Sequence, residues 1–486
     1  MQTGQIKYGI GMTAAAALWL GVFPLLHGGT YARLTLDKWI IFLILTGVTL
    51  LCFLADLFLR RLSRPRLLPL LAAAGLLLWT VLSCLLSPYS PDLWWIGTSS
   101  RREGLAAQLC YLALFFLFSF SRVHLRPVLY AAVAGVAAFL VIVLLQRAGG
   151  NPFGLYPAGR SYATNYEFQG TVGNIDVGVG YLLILSGLFL PPVLRGAKVF
   201  FSAWHGTPGR SFSFRAAEGR SFSFRPSGAG AGGPSVENTP GVPVLTPWEK
   251  ADFWVSLSGL LICICLILTM GVQFGFLTLL ALAVAAVLFL LPKKYRLPLL
   301  IFLIIAALLV VWFWPGQSGG LWELHEILHG RLQLSFGSNR VAVWIYSLSL
   351  AGEDRLFLGS GSDTFALRFN QYIKEKDLVI PVSQGKTLLP HYFDTPHCDY
   401  LAQLLNHGLP ALLLFLALIL FTLFPGKKHS FSPDALSWRA AVFCYAVQAI
   451  FVFSVCIIAP MFWVVLGAGA SASGACVNVK NTAISD

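Results

Sequence analysis

Leu297-Pro-Leu-Leu-Ile-Phe-Leu-Ile-Ile-Ala-Ala-Leu-Leu-Val-Val-Trp-Phe-Trp-Pro315 runs for 19 residues without a charged side chain. A helix that crosses a bilayer takes about 20 mostly apolar residues, so this stretch reads as one span. Similar runs recur on both sides of it, near 8–27, 39–59, 67–87, 105–121, 128–147, 177–194, 251–270, 274–291, 408–424, 438–453 and 455–470. The last two share one apolar stretch, and the boundary between them is open. Twelve spans follow. The whole chain agrees, with 486 residues of which 57% are hydrophobic and 11% charged, and a mean hydropathy of +0.73. A soluble domain carries about 25% charge. A soluble globule, a disordered chain and a collagen-like fibre are excluded. A transmembrane β-barrel would show short alternating strands in place of long unbroken runs. The expected fold is an all-α polytopic membrane protein.

Charge placement orients it. The formal net charge is +13, which in a soluble protein would raise the question of nucleic acid. Here the positive-inside rule accounts for it, and no nucleic-acid partner is expected. With the N-terminus inside, the inside segments hold 20 Lys and Arg, or 21 with Lys480. The short outside loops 28–38, 88–104 and 148–176 hold five: Arg33, Lys38, Arg101, Arg102 and Arg160. Twelve spans return the C-terminus to the inside. The expected organisation is then spans 1–6 over 1–194, a cytoplasmic low-complexity loop over 195–250, and spans 7–9 over 251–315. A large extracytoplasmic loop over 316–407 follows, then spans 10–12 over 408–470 and a cytoplasmic tail over 471–486. The 195–250 loop contains a direct repeat, Gly209-Arg-Ser-Phe-Ser-Phe-Arg215 and Gly219-Arg-Ser-Phe-Ser-Phe-Arg225. It reads either as a contact with anionic headgroups or as a duplicated flexible linker.

The nine Cys show no CxxC and no disulfide framework. Most lie in apolar runs, where a thiol behaves as a small hydrophobe. The N-terminal run lacks a small-residue cleavage site, so it reads as a retained first span.

Chemistry concentrates in the 92-residue loop 316–407 and its neighbours 88–104 and 148–176. His397 lies just before Tyr400, Leu401, Leu404 and Leu405, which fall at helical spacing. A His near a helix N-terminus is held neutral by the dipole and suits a general base. The alternative is an ordinary polar residue at a loop–helix junction. Arg340, in Gly337-Ser-Asn-Arg340, opens a helical pattern that Asn339 or Ser338 would cap. A cation there opposes the dipole, so it reads as an anion ligand or as a solvated surface Arg. Arg101 and Arg102 run against the positive-inside bias, which points to phosphate binding or to headgroup snorkelling. Arg160 sits beside a turn-rich stretch, Gln169-Gly-Thr-Val-Gly-Asn174, and its own contact with a ligand is left open. Gly359-Ser-Gly-Ser-Asp363 reads as a backbone nest for an anion or as a plain turn.

His325-Glu326-Ile-Leu-His329 matches the H-E-x-x-H zinc pattern. A zinc site needs a third ligand. Glu353, Asp354, His391, His397 and His407 are candidates, none at a diagnostic spacing. The same residues also fit an amphipathic juxtamembrane helix. Neither a Walker A motif nor a Rossmann fingerprint nor a D-x-D occurs. The spans carry few charges, which lowers a transporter reading.

Taken in order, several short motifs resemble those of the O-antigen ligase and O-antigen polymerase superfamily of bacterial membrane proteins. They are Arg101-Arg-Glu-Gly104, Gly170-Thr-Val-Gly-Asn174, Gly337-Ser-Asn-Arg340 with Trp344, and Leu358-Gly-Ser-Gly361 with Phe365. His397 follows, eleven residues before Gly408, and then Phe451-Val-Phe-Ser454, Ala459-Pro-Met-Phe-Trp463 and Leu466-Gly467. The resemblance covers about 90–470. The sequence departs from the family at Cys398, where Asn, Ser or Gln is common, at Asp176, and in the long inside loop.

The resemblance implies glycan transfer from an undecaprenyl-diphosphate-linked donor to an acceptor hydroxyl at the outer face of the plasma membrane. The reaction would need neither metal nor cofactor. It implies that His397 takes or orients the acceptor proton and that Arg340 binds the diphosphate. Arg101 or Arg102, with Arg160, would complete the clamp. The acceptor is a glycan, a lipid or a protein hydroxyl, and membrane lipids surround the chain. Two other readings stand beside it. One is a zinc-dependent membrane protease using His325, Glu326 and His329. The other is a non-enzymatic polysaccharide flippase.

Overall fold

A computed structural model describes residues 8–204, 245–380, 392–425 and 433–472. The repeat at 209–225, His391 and Lys480 lie outside the described residues. The described regular structure is helical. The expected spans correspond to α1 (Ile10–Ala17, continued by a π turn to Val22 and a 3-10 turn to Leu25), α2 (Leu34–Phe58) and α3 (Leu67–Leu85). After a short α4 (Pro91–Ile96) come α5 (Leu105–Ser119), α6 (Leu125–Arg147), α7 (Ile175–Trp204), α8 (Pro247–Met270), α9 (Gln273–Leu290) and α10 (Lys293–Trp312). The loop expected over 316–407 carries α11 (Gly320–Leu328), α12 (Arg340–Glu353) and α13 (Phe365–Glu375). The chain ends in α14 (Asp399–Leu423), α15 (Pro433–Gln448) and α16 (Ala459–Ala472).

Eight of these helices are long and apolar enough to cross a bilayer, and the helical stretches Ile10–Leu25, Leu105–Ser119 and Ala459–Ser471 are shorter and apolar. Twelve full-length spans were expected, so the polytopic class holds while four segments are shorter than the sequence pattern implies. In α1 the shortening has a visible cause. The helix loosens into a π turn and stops at Pro24, and the buried Lys38 donates its ammonium to the freed carbonyls of Phe23 and Pro24, each at 2.9 Å.

Most helices share one apolar core, in which α7 is central. Of its most apolar window 83% is buried, against 0% for α10. A smaller core joins α12, α13 and the first half of α14 through Val343, Leu350, Phe365, Phe369 and Leu405.

Two departures from regular helix shape the site. The first is in α14, which breaks at Gly408 (φ 84°, ψ 173°). Pro410 has no N–H to give the Asn406 carbonyl, which an unbroken helix would require. That carbonyl instead accepts from Ser360 N (3.0 Å), Gly361 N (2.8 Å) and Ser83 Oγ (2.9 Å). Gly408 is required here, because a Cβ would overlap the Phe357 carbonyl. So the first half of α14 turns away from the second, and the Gly359–Asp363 loop locks the bend. The second departure is the link 449–458 between α15 and α16, which is not regular helix. Two spans, 438–453 and 455–470, were expected to meet within it, with their boundary open. Its side chains line the site, as described next.

Candidate active site

Four helices begin at one place. Arg101 lies just ahead of α5, Asp176 is in the first turn of α7, Arg340 opens α12, and His397 precedes α14 by two residues. Helix N-termini carry unsatisfied N–H groups and a partial positive charge of about half an electron each. Contacts tie the four together. Arg340 Nη2 meets Asp176 Oδ2 at 3.8 Å. Trp344 of α12 donates its indole N–H to the Pro396 carbonyl at 2.9 Å, fixing α12 against the His397 turn. Phe453, from the non-helical link, touches both Arg101 (4.0 Å from guanidinium to ring centre) and His397 (5.4 Å between ring centres).

His397 adopts φ 50°, in the left-handed region. Non-glycine residues enter that region at a cost of about 1–2 kcal/mol. The turn is held by His397 N donating to Thr395 Oγ1 (3.3 Å) and by Asp399 N donating to the Ala449 carbonyl (2.8 Å). The imidazole Nδ1 is buried and has no hydrogen-bond partner among the described residues. Burial, followed by the charges of Arg340 and Arg101, pushes the imidazole down to about 4; Asp394 opposes them weakly. His397 is therefore neutral at physiological pH, with burial as the leading cause where the helix dipole was expected to be. The neighbouring Cys398 is buried, and burial pushes its thiol up to about 11. It is inert as a nucleophile.

Arg340 follows Ser338 and Asn339, both at positive φ (55° and 70°). Asn339 is the N-cap residue, but its side chain makes no capping bond. Among the described residues the buried Arg340 Nε has no partner, and the guanidinium makes one long ion pair, to Asp176. Asp176 sits at the start of α7, where its own N–H donates to Asn174 Oδ1 (2.7 Å). A guanidinium with an unfilled donor, at the mouth of several helix dipoles, is built to receive an anion.

Residues 258–416 match the family described as O-antigen ligase, a stretch that contains both Arg340 and His397. The chain carries an O-antigen ligase domain. That family is one of glycan-transferring enzymes, and the protein that carries the domain is multi-pass and helical. A search of curated proteins returns no match.

Arg101 lies outside the matched O-antigen ligase stretch and completes the site from α5. It is 6% exposed and is held by Asp394 Oδ2 (3.3 Å) and the Ser454 carbonyl (2.9 Å). Behind it lie Glu103 and Asp363, both buried. Asp363 Oδ2 accepts from Thr98 N (2.6 Å), Thr98 Oγ1 (3.0 Å) and Glu103 N (3.3 Å), which fixes the loop bearing Arg101. Glu103 accepts the Tyr111 hydroxyl at 2.7 Å, and burial pushes its carboxyl up to about 8.

The other expected ligands stand apart. Arg102 faces away from this cluster, its guanidinium 5.4 Å from the Trp39 ring. Arg160 is exposed in its turn, with no ion pair or side-chain hydrogen bond to a described residue. The Gly359–Asp363 loop uses Ser360 N and Gly361 N on the broken end of α14, so it works as a structural turn and not as an anion nest.

His325, Glu326 and His329 also lie within the O-antigen ligase domain, at the end of α11. His325 Nδ1 meets the Val311 carbonyl (3.1 Å) and His329 Nδ1 meets the His325 carbonyl (2.8 Å). Glu326 pairs with Arg331 through two bonds of 2.6 and 2.7 Å. Among the described residues no three His, Cys, Asp or Glu side chains are placed to hold a metal ion. Sequence reasoning singled out His397, Arg340 and Arg101. It gave no role to Asp394, Glu103 or Phe453, and noted Asp176 only as a departure. Asp394 carried a usable signal, since it lies three residues before His397 in a chain poor in acids.

Proposed function

We propose that this chain transfers a glycan from an undecaprenyl-diphosphate-linked donor to an acceptor hydroxyl at the outer face of the bacterial plasma membrane. Both chain ends would lie inside, and the large loop outside, as the Lys and Arg distribution requires. The observation that carries the reading is a neutral, half-buried imidazole with a buried Nδ1, beside two guanidiniums, Arg340 and Arg101.

The acceptor oxygen attacks the anomeric carbon, and the bond from that carbon to the diphosphate oxygen breaks. His397 takes the acceptor proton, and undecaprenyl diphosphate leaves. Arg340 stabilises the charge that grows on the leaving group, with the helix N-termini adding to it. Arg101, fixed by Asp394, Ser454 and Phe453, supplies a second positive charge. Burial and, after it, these cations hold the imidazole pKa down. A bound diphosphate offsets them, so the base strengthens when the donor is in place. The required base and positive charges are all side chains of this chain.

The test uses purified protein in EDTA, a polyprenyl-diphosphate glycan donor, and a panel of acceptors: a lipid-linked core glycan, a glycan repeat unit and a Ser/Thr peptide. The expected result is release of polyprenyl diphosphate together with one glycosylated product. That product identifies the chain as ligase, polymerase or protein O-glycosylating enzyme. Release from no donor would overturn the reading.

A further inference from the structure

Beside the cationic cluster lies a cavity of the opposite character. It is walled by the Arg101 loop, the Asp363 loop, residues 394–396, the first half of α14 and the 453–454 link. Its cavity volume is about 40 Å³, room for a hydroxyl or hydroxymethyl group and not for a whole sugar ring. Its carboxylates are Glu103, Asp363, Asp394 and Asp399, and Arg101 is its only Lys or Arg. A diphosphate is repelled there. The carboxylates are not placed to hold a metal ion either.

The hydrogen-bonding capacity that remains open is specific. Gln403 is 9% exposed, and its Oε1 accepts from His407 Nδ1 at 2.9 Å. His407 Nε2 in turn accepts from Ser362 Oγ at 2.9 Å. The Gln403 Nε2 donors have no partner among the described residues. Asn406, one helical turn further on the same face, uses Oδ1 to accept from Phe365 N (3.0 Å), and its Nδ2 is also without a partner. Asp363, 6% exposed, places its three bonds on Oδ2 and leaves Oδ1 free. None of these three atoms is sealed from the cavity, so a group that enters it can reach them. Two amide donors and a carboxylate acceptor together match a hydroxyl, which both donates and accepts. The bend at Gly408 is what aims Gln403 and Asn406 into this space.

We propose that this cavity is a sugar-hydroxyl subsite, which takes one hydroxyl or hydroxymethyl group of a pyranose beside the reacting centre. The inference rests on the glycan-transfer reading and adds to it the residues that select the sugar. The shared chemistry is a neutral hydroxyl, whether it comes from the donor glycan or from the acceptor.

The test is transfer kinetics of the full chain with donor and acceptor varied separately, for wild type, Gln403→Met and Gln403→Glu. Both substitutions remove the amide donors, and Gln403→Glu keeps the acceptor for His407. The expected result is a KM raised about tenfold for one substrate only in both variants, the loss of about one buried hydrogen bond. The substrate affected identifies the source of the hydroxyl. A deoxy analogue lacking that hydroxyl should bind wild type and variants alike. Unchanged KM values in both variants overturn the subsite. So does recovery of wild-type kinetics in Gln403→Glu, which would mean that Gln403 only supports His407. His397→Ala is run in parallel. Transfer that depends on His397 with KM values insensitive to Gln403 removes the subsite alone, whereas absence of transfer by wild type removes the glycan-transfer reading with it.

Discussion

Two histidine motifs stand in the segment 316–407, and the structure treats them differently. His325 and His329 form a pattern with a strong reputation, yet each has its Nδ1 against a backbone carbonyl and Glu326 is tied to Arg331. His397 has no metal-binding motif around it and was marked in the sequence only by its place just ahead of a helical pattern. It stands in a left-handed turn with a buried Nδ1 that nothing satisfies, between two guanidiniums. A motif states which atoms are present; the neighbours decide which of them are still available. The proposed reaction uses the histidine whose Nδ1 has no partner among the described residues.

The comparison can be broken most directly at His397. His397→Ala should lower kcat for glycan transfer by about 10³-fold, within the range for loss of a general base. A loss smaller than tenfold would place the base elsewhere. Next in size is Arg340→Ala, expected to cost about 10²-fold in kcat/KM through lost stabilisation of the leaving diphosphate. Arg340→Lys should recover only part of it, because a lysine lacks the paired donors.

A pH profile sharpens the same contrast. His397 is depressed to about 4 in the empty site, so its proton-accepting form persists well below the ordinary His range. The acid limb of kcat/KM for the free enzyme should therefore fall below pH 6, as pH drops toward that value. The limb of kcat should lie at higher pH, because bound diphosphate offsets Arg340 and Arg101. Coincident limbs near 6.5 would show that the cations do not act on the base. The smallest effect belongs to the other motif. Glu326→Gln should leave transfer within about twofold of wild type, since exposed ion pairs contribute little. A tenfold loss, together with stoichiometric zinc, would revive the protease reading.

How far the sequence went follows from which forces act locally. Apolar runs located the membrane helices because burial in lipid dominates every local preference there. The runs do not say what covers them. α7 and α10 have similar hydropathy, 2.0 and 2.4, but one is central and the other has no buried residue. His397, Arg340 and Arg101 were legible because charges are scarce in this chain. The bend in α14 was not. Helical spacing after His397 was visible, but the expected span began at 408, and only the carbonyl left open opposite Pro410, with the Gly359 loop to fill it, joins the two halves. The 449–458 link read as two adjoining spans, 438–453 and 455–470, with an open boundary, because Phe453 and its neighbours are apolar. Phe453 leaves the helix to pack on Arg101 and His397, a tertiary contact that periodicity does not encode.

The most direct test of the central claim is single-turnover transfer from a bound polyprenyl-diphosphate glycan, comparing wild type, His397→Ala and Arg340→Ala after each has been shown folded. The account predicts that His397→Ala retains the donor but does not transfer it. Arg340→Ala should be impaired both in holding the donor and in transfer. Transfer by His397→Ala at the wild-type rate would contradict it.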